Sequence, residues 1–330
     1  MHVTALTWWV TIGATSALLL FDVFVVGRRP HEPGRREIVV ALIGFIGLAI
    51  AFGVGVWFVA GSQYGTQFFA GWLTEYSLSV DNLFIFLIIM TKFGVPRAYQ
   101  QSALLTGIVI ALVMRGTFIA VGAAAINNFG WVFYLFGLFL IYTAAKLAKE
   151  GAGDEDEYQQ AKLITWVEAH LPTTSEWHGT KSFVKSGGKR LITPMFVVVV
   201  ALGTTDLLFA LDSIPAIFGL TEEPFLVLTA NIFALMGLRQ LYFLIGDLLE
   251  RLIYLSYGLA VLLGFIGVKL ILHALHENKL PFVNGGKPVH GAPDISTPAS
   301  LGAIAGILVL TTVASLLGSR RLAGAERDGL

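Results

Sequence analysis

Four carboxylates interrupt the most apolar parts of this chain, and they fall in two copies of one short pattern. Thr74-Glu75 is followed after five residues by Asp81-Asn82, and Thr205-Asp206 is followed after five residues by Asp212-Ser213. A charge at the centre of a bilayer helix costs about 2.5–3.5 kcal/mol even on the most lenient insertion scale. Four together cost about 10–14 kcal/mol, as much as the net stability of an ordinary domain. Something must offset that cost, and a bound cation is the simplest candidate. Carboxylate, amide and hydroxyl oxygens, with no Cys and no central His, describe a hard-cation site for Mg, Ca or Mn rather than Zn or Cu.

On a helix, residues seven apart return to nearly the same face about 10 Å along the axis. Thr74 therefore stacks over Asp81 and Glu75 over Asn82, while Thr205 stacks over Asp212 and Asp206 over Ser213. Ser79 extends the first polar arc. The two acids of one cassette are six residues apart, hence about 120° apart around an ideal helix, and a helix break would bring them closer. Pro215 predicts such a break in the second copy, because it removes the amide that would bond the Leu211 carbonyl. By symmetry, a break is expected in the first copy too. Asp22, in the first apolar run, is a further candidate acid. Arg115 and Arg239 are the opposing charges, expected to pair with the acids. Asp22, Glu75, Asp81, Asp206 and Asp212 against these two arginines leave a formal charge of about −3 within the apolar sequence. A divalent cation fits that excess, and so does protonation of some acids. Competition between proton and metal is how an antiporter couples its fluxes.

The elements that must position these residues are membrane helices. The chain of 330 residues is 55% hydrophobic and 13% charged, with a mean hydropathy of +0.74, where soluble domains are roughly a quarter charged. Its net charge of zero gives no sign of nucleic acid or a polybasic lipid-surface tail. With no cysteine, disulfides, thiolate metal sites and thiol redox chemistry are excluded. Of seven histidines only His273 could touch a span, near its end. Residues Met1 to Trp9 lack the basic stretch and small-residue cleavage site of a signal peptide, so the first apolar run is expected to stay as a helix.

About nine runs are long enough to span a bilayer: 6–26, 38–60, 66–91, 102–125, 129–149, 194–219, 225–246, 253–275 and 299–318. Arg28, Arg29, Arg35 and Arg36 crowd the first connection. Lys92 and Arg97 mark the third, Lys181, Lys185, Lys189 and Arg190 the fifth, and Arg251 the seventh. Arg320 and Arg321 begin the tail. The alternate connections are poor in Lys and Arg, apart from Lys279 and Lys287. The positive-inside rule then predicts a multi-pass protein of the cell membrane, N-terminus outside and C-terminus cytoplasmic. The loop 150–193 opens on the acidic run Asp154 to Glu157, and its segment Phe183 to Leu191 reads as a hairpin around Gly187-Gly188. The loop 276–298, rich in Pro and Gly, is expected to be irregular and extracytoplasmic. Lys146 and Lys269 read as snorkelling residues, Met114 and Met236 as packing, and Trp8, Trp9, Trp57, Trp72 and Trp131 as interfacial anchors. Gly302-x-x-x-Gly306 would permit close helix contact.

The cassettes anchor a longer self-similarity. Leu105-Thr106, Ala111-Leu112 and Arg115 match Leu228-Thr229, Ala234-Leu235 and Arg239. Tyr134-Leu135, Gly137 and Lys146-Leu147 match Tyr254-Leu255, Gly258 and Lys269-Leu270. The expected organisation is an all-α membrane protein. Residues 1–60 hold the first two spans, 61–149 a three-helix repeat, 150–193 a cytoplasmic loop and 194–275 a second repeat. Residues 276–298 follow as an outer loop, and 299–330 as the last span and tail. Three spans per unit force the second unit upside down, the inverted repeat of secondary transporters, whose sites lie at the midplane.

At these residues the chain resembles the TerC family of integral membrane proteins. The likeness rests on Leu20-Phe21-Asp22, on Glu75 through Asn82, and on Thr205 through Ala216 with its Asp-Ser-Ile-Pro-Ala string. It extends to Asn231, Gly237-Leu238-Arg239 with Tyr242-Phe243, and Phe265 through Lys269. The resemblance implies a manganese exporter or metal-homeostasis protein, and the family name comes from tellurium-resistance operons. It implies an ion site at Glu75, Asp81, Asn82, Asp206, Asp212 and Ser213. The candidate supporting residues are Asp22, Thr74, Ser79, Thr205, Leu211, Asn231, Arg115 and Arg239. Many relatives carry a glutamate where this chain has Gly203, a difference that bears on metal preference, proton coupling and rate. The expectation is therefore a transporter and not an enzyme, without a cofactor. It would move Mn, with Ca or Mg as further cargo, out of the cytoplasm through the lipid bilayer by alternating access, with protons as the candidate counter-ion. Rival readings are a scaffold that helps assemble or metallate other membrane or exported proteins, an intramembrane aspartyl protease using Asp81 and Asp212, and a channel. The protease lacks its Gly-x-Gly-Asp motif here, and a multi-carboxylate cage holds an ion too tightly for fast conduction.

Overall fold

Long apolar runs without prolines in their middles form helices, because in lipid every backbone amide must find its partner within its own segment. The computed structural model describes residues 3–28, 33–150, 174, 176–186, 189–249, 254–276, 278, 280, 283–289, 293 and 295–328. The side chains of 22–28, 81, 84, 127, 150, 186, 189, 245–249 and 320–328 are outside that description. The described residues form α1 (Ala5–Arg28), α2 (Arg35–Ala60), α3 (Ser62–Lys92), α4 (Arg97–Asn128) and α5 (Val132–Glu150). A hairpin of β1 (Phe183–Ser186) and β2 (Lys189–Ile192) follows, then α6 (Pro194–Phe218), α7 (Pro224–Leu249), α8 (Leu255–His276) and α9 (Thr297–Asp328). Among the described residues, eight helices are long and apolar enough to cross a membrane, and α1 adds the apolar stretch Ala5–Phe21. The protein is an all-α, multi-span membrane protein, and each apolar run of the sequence coincides with one helix.

The hairpin is antiparallel, with Phe183 opposite Ile192 and Ser186 opposite Lys189, and its two turn glycines lie outside the described residues. It holds the start of α6 in place: Thr193 donates its hydroxyl to the Lys181 carbonyl at 2.6 Å, and Pro194 opens the helix. Between Leu249 and Thr297 the described residues outside α8 contain only a short 3₁₀ turn, Asn284–Gly286. The expected breaks within the cassettes do not occur. Both α3 and α6 run unbroken, and Pro215 sits one turn from the end of α6, where the loss of a single donor is tolerated.

In α7 every residue from Phe225 to Tyr242 except Leu228 is buried, so this helix forms the centre of the bundle, while α9 is mostly unburied and lies at its edge. The most extensive helix contacts join α5 to α8, α3 to α7 and α4 to α6. Phe52, Phe68, Phe225 and Phe233 pack ring on ring where α2, α3 and α7 meet. Val113, Val121, Leu138, Val261 and Leu310 face outward, as lipid contact requires. Trp72 is not at a span end as expected; it packs within α3 against Phe69 and Tyr76. Gly302 and Gly306 meet nothing, and the close approaches lie elsewhere. A Cβ on Gly267 would lie 2.9 Å from the Gly137 carbonyl oxygen, and a Cβ on Gly137 equally 2.9 Å from the Gly267 carbonyl oxygen. The backbones of α5 and α8 are therefore in contact, as small residues allow between membrane helices.

Gly267→Val is expected to force α5 from α8 and cost about 1–3 kcal/mol. The readout is a lowered midpoint of thermal unfolding in detergent. Gly302→Val, whose added carbons meet open space, should leave that midpoint in place; equal midpoints for the two variants would contradict the contact.

Candidate functional site

A guanidinium is the hub at which the two halves of the chain meet. Arg115, on α4, is fully buried. Its Nε and Nη2 donate to the two carboxylate oxygens of Asp206 on α6, at 2.8 and 3.0 Å. Its Nη1 donates to Glu75 Oε1 on α3, to Asn231 Oδ1 on α7 at 2.8 Å and to Ser213 Oγ on α6 at 3.2 Å. An Nη carries two hydrogens, so these three acceptors share them. Ser79 Oγ lies 3.5 Å from the same Glu75 oxygen, and Asn231 Nδ2 donates to the Val227 carbonyl one turn back at 3.3 Å. The fork geometry of arginine matches Asp206 bidentately, which a lysine could not reproduce.

The formal charge of Glu75, Asp206 and Arg115 together is −1. Three buried oxygens around this cluster have no hydrogen-bond partner among the described residues: Glu75 Oε2, Thr74 Oγ1 and Thr205 Oγ1. Leaving such a group unsatisfied costs about 1–3 kcal/mol. These atoms belong to the first residues of the two cassettes, which the fold brings together from α3 and α6.

The second acid of the second cassette turns away. Asp212 is half-buried and accepts a hydrogen bond from Thr143 Oγ1 of α5 at 3.1 Å. The physical reason is the six-residue spacing on an unbroken helix: with Asp206 facing α4, Asp212 faces another neighbour. Asn82 is buried, Leu211 is 41% exposed, and the side chains of Asp81 and Asp22 lie outside the described residues. Among the described residues no three His, Asp or Glu side chains gather as a metal-ligand set. Arg239, which the sequence self-similarity matches to Arg115, lies eight residues and about 12 Å along α7 from Asn231. It lines a small recess with Glu37 and Gln101, and its Nη2 donates at 2.8 Å to the Gln240 amide oxygen once that amide is oriented to satisfy both its atoms.

At one end of the bundle a cavity of about 650 Å³ opens between α3, α6 and α8. Gln67 and Thr221 bond across its wall at 2.9 Å, and Glu222 and Glu223 line it together with Lys269 and His273. Gln67 is eight residues, or about 12 Å, along α3 from Glu75. Glu222 Oε1 lies 3.0 Å from His273 Nε2. The hydrogen bond from His273 holds the Glu222 carboxyl below its ordinary 4.5, against the opposing effect of partial burial. Neither this pair nor Thr143 was found from the sequence. The cue for Thr143 was its hydroxyl within an apolar run. His273 stood out only as a histidine near a span end.

The model of the "Integral membrane protein TerC family" matches residues 60–323. An uncharacterized membrane protein of Mycobacterium tuberculosis (strain H37Rv), Rv2723, is 49% identical over 323 residues, covering 97% of this chain and 81% of its own. STKORF319 of Myxococcus xanthus, also uncharacterized, is 36% identical over 321 residues, covering 97% and 95%. Alx of Escherichia coli (strain K12), named as a candidate membrane-bound redox modulator, is 34% identical over 319 residues and covers 94% of each chain. No solved structure matches.

Because the Glu222 pKa is lowered in the folded protein, its ionised form contributes stability that is fully present above pH 4.5 and is lost as the pH falls through the lowered value. The pair is 34% and 50% exposed, which limits the effect to less than about 1 kcal/mol. The thermal midpoint of the wild type should exceed that of Glu222→Gln near neutral pH, and the gap should close on acidification. A gap that widens toward low pH would contradict the assignment.

Proposed function

Because this chain belongs to the TerC family of integral membrane proteins, we propose that it moves a hard divalent cation out of the cytoplasm, manganese before calcium or magnesium. The observation that carries this reading is Glu75 Oε2, a buried carboxylate oxygen without a partner among the described residues, in a cluster whose formal charge is −1. Buried acceptors are almost always satisfied, so an orphaned carboxylate oxygen calls for a cation or its water, and the Thr74 and Thr205 hydroxyls of the same two cassettes are orphaned as well. Glu75, Asp206, Asn231 and Ser213 supply the carboxylate, amide and hydroxyl oxygens that hard cations take. Asp212 would serve on the face toward α5.

Transport by alternating access fits the way the two units interleave. If α3, α4 and α5 correspond to α6, α7 and α8, then the α3–α7 and α4–α6 pairings are each other's counterparts, and α5–α8 pairs with itself. Inverted repeats produce that pattern and place the site between the halves. With the N-terminus outside, the 650 Å³ cavity is the exit vestibule on the outer side of the cell membrane. Protons are the candidate counter-ion. The work is transport, not catalysis, and needs no resident cofactor. Although one relative is named for redox modulation, this chain has no thiol with which to perform it.

Manganese-loaded cells or proteoliposomes carrying the wild type should lose the metal. Asp206→Asn and Glu75→Gln should slow that efflux by at least about tenfold, the scale on which one missing group lowers metal affinity. Protein level in the membrane is measured alongside. A wild type that moves no divalent metal would end the proposal.

A further inference from the structure

A tethered cation already occupies the oxygens that the cargo needs. Arg115 bonds both oxygens of Asp206 and reaches Glu75 Oε1, Asn231 Oδ1 and Ser213 Oγ. Each of these is an oxygen acceptor of the kind a hard divalent ion prefers. The formal charges sharpen the point. Two carboxylates with Arg115 carry −1; with a divalent ion in its place they carry 0; with both present the site carries +1, and two cations crowd one set of oxygens. Like charges held a few ångströms apart in a medium of low polarity repel strongly. Guanidinium and metal are therefore alternatives.

We propose that Arg115 is the internal counter-cation of the empty carrier: its guanidinium holds Glu75 and Asp206 when no metal is bound, and withdraws when one binds. This rests on the transport reading above and adds a mechanism for the return step. Glu75 Oε2, unpartnered among the described residues, is the first landing point for the incoming ion. Asp206 is engaged second, because both its oxygens must first be released. After the ion leaves, the guanidinium returns to the carboxylates. The unloaded site then crosses its conformational cycle with one of its two carboxylate charges compensated by the guanidinium, so that a single proton is enough to neutralise the other. Arg115 is thus a positioning residue that sets affinity and drives release, since rebinding of its guanidinium expels the metal.

The test compares the full-length wild type with Arg115→Gln and Arg115→Lys in proteoliposomes, measuring Mn2+ binding, Mn2+/Mn2+ exchange and net Mn2+ efflux at several pH values. In Arg115→Gln, Mn2+ binding should tighten by at least about tenfold, and the ratio of exchange to net efflux should rise by at least about tenfold. Acid on the receiving side should restore net efflux, because protons then replace the missing cation. Arg115→Lys, which keeps the charge, should retain net efflux without acid. Added Mn2+ should raise the thermal midpoint of Arg115→Gln more than that of the wild type, a response that loss of a structural ion pair alone does not give. Weaker Mn2+ binding in Arg115→Gln overturns the proposal, as does an unchanged ratio of exchange to efflux. So does failure of both variants to fold even when prepared in Mn2+, which marks the pair as structural only. A wild type that neither binds nor exchanges Mn2+ sinks the transport reading instead.

Discussion

The rest of the structure depends on one buried guanidinium. Taking an arginine and two carboxylates out of water carries a desolvation penalty of several kcal/mol per ion, and only close, well-aligned partners offset it. Arg115 has them on α3, α6 and α7, all within 3.2 Å, so four helices must hold their axes in register around a single side chain. Removing one partner from such a buried network typically costs about 3–5 kcal/mol, because the remaining charge is stranded. This is a strong constraint on helix spacing. Small residues meet it: a Cβ on Gly107 of α4 would lie 3.3 Å from Leu202, and one on Gly203 of α6 would lie 3.2 Å from Ile110. Gly203 is thus part of a tight α4–α6 contact in this chain, and a larger side chain there must move Ile110.

The two cassettes look alike in sequence and act differently in space. Their first halves, Thr74-Glu75 and Thr205-Asp206, meet across the bundle at Arg115. In the second cassette the second half splits: Ser213 returns to Arg115, and Asp212 turns to Thr143 on α5. Straight helices make this unavoidable. Seven residues bring Ser213 back to the face of Asp206, and six take Asp212 about 120° away. The polar side chains of this cassette are therefore spread over two faces of α6, one toward Arg115 and one toward α5.

Hydropathy alone located the helices, because a span in lipid admits little else, and the Gly-Gly pair located the hairpin because a two-residue turn needs that freedom. The pairing of Arg115 with acids was legible for the same reason: a lone arginine in a span is too costly to leave unmatched. Which acids it meets was not legible. Glu75 and Asp206 were expected, but that Asp212 lies with Thr143 depends on the rotation of α6, which packing decides. Pro215 misled because its effect depends on distance from the helix end, one turn here. Arg239 looked equivalent to Arg115 by repeat spacing, yet it lies among Glu37, Gln101 and Gln240. The glycine contacts ran the same way: Gly302 and Gly306 carried the recognisable spacing, while Gly137 and Gly267 carried the contact.

The distances along the chain between Arg115 and its partners have a consequence for how the protein is made. Glu75 lies 40 residues before it, Asp206 lies 91 after it, and Asn231 lies 116 after it. A ribosome adding about 5–20 residues per second delivers Asp206 roughly 5–18 s after Arg115. During that interval α4 enters the bilayer with an arginine that costs about 2.5–3.5 kcal/mol on an insertion scale, and among the described partners Glu75 alone is already made. The first ion pair is thus an insertion device as well as a site component: Glu75 escorts Arg115 into the membrane, and the later half of the chain docks onto a charge pair that is waiting for it.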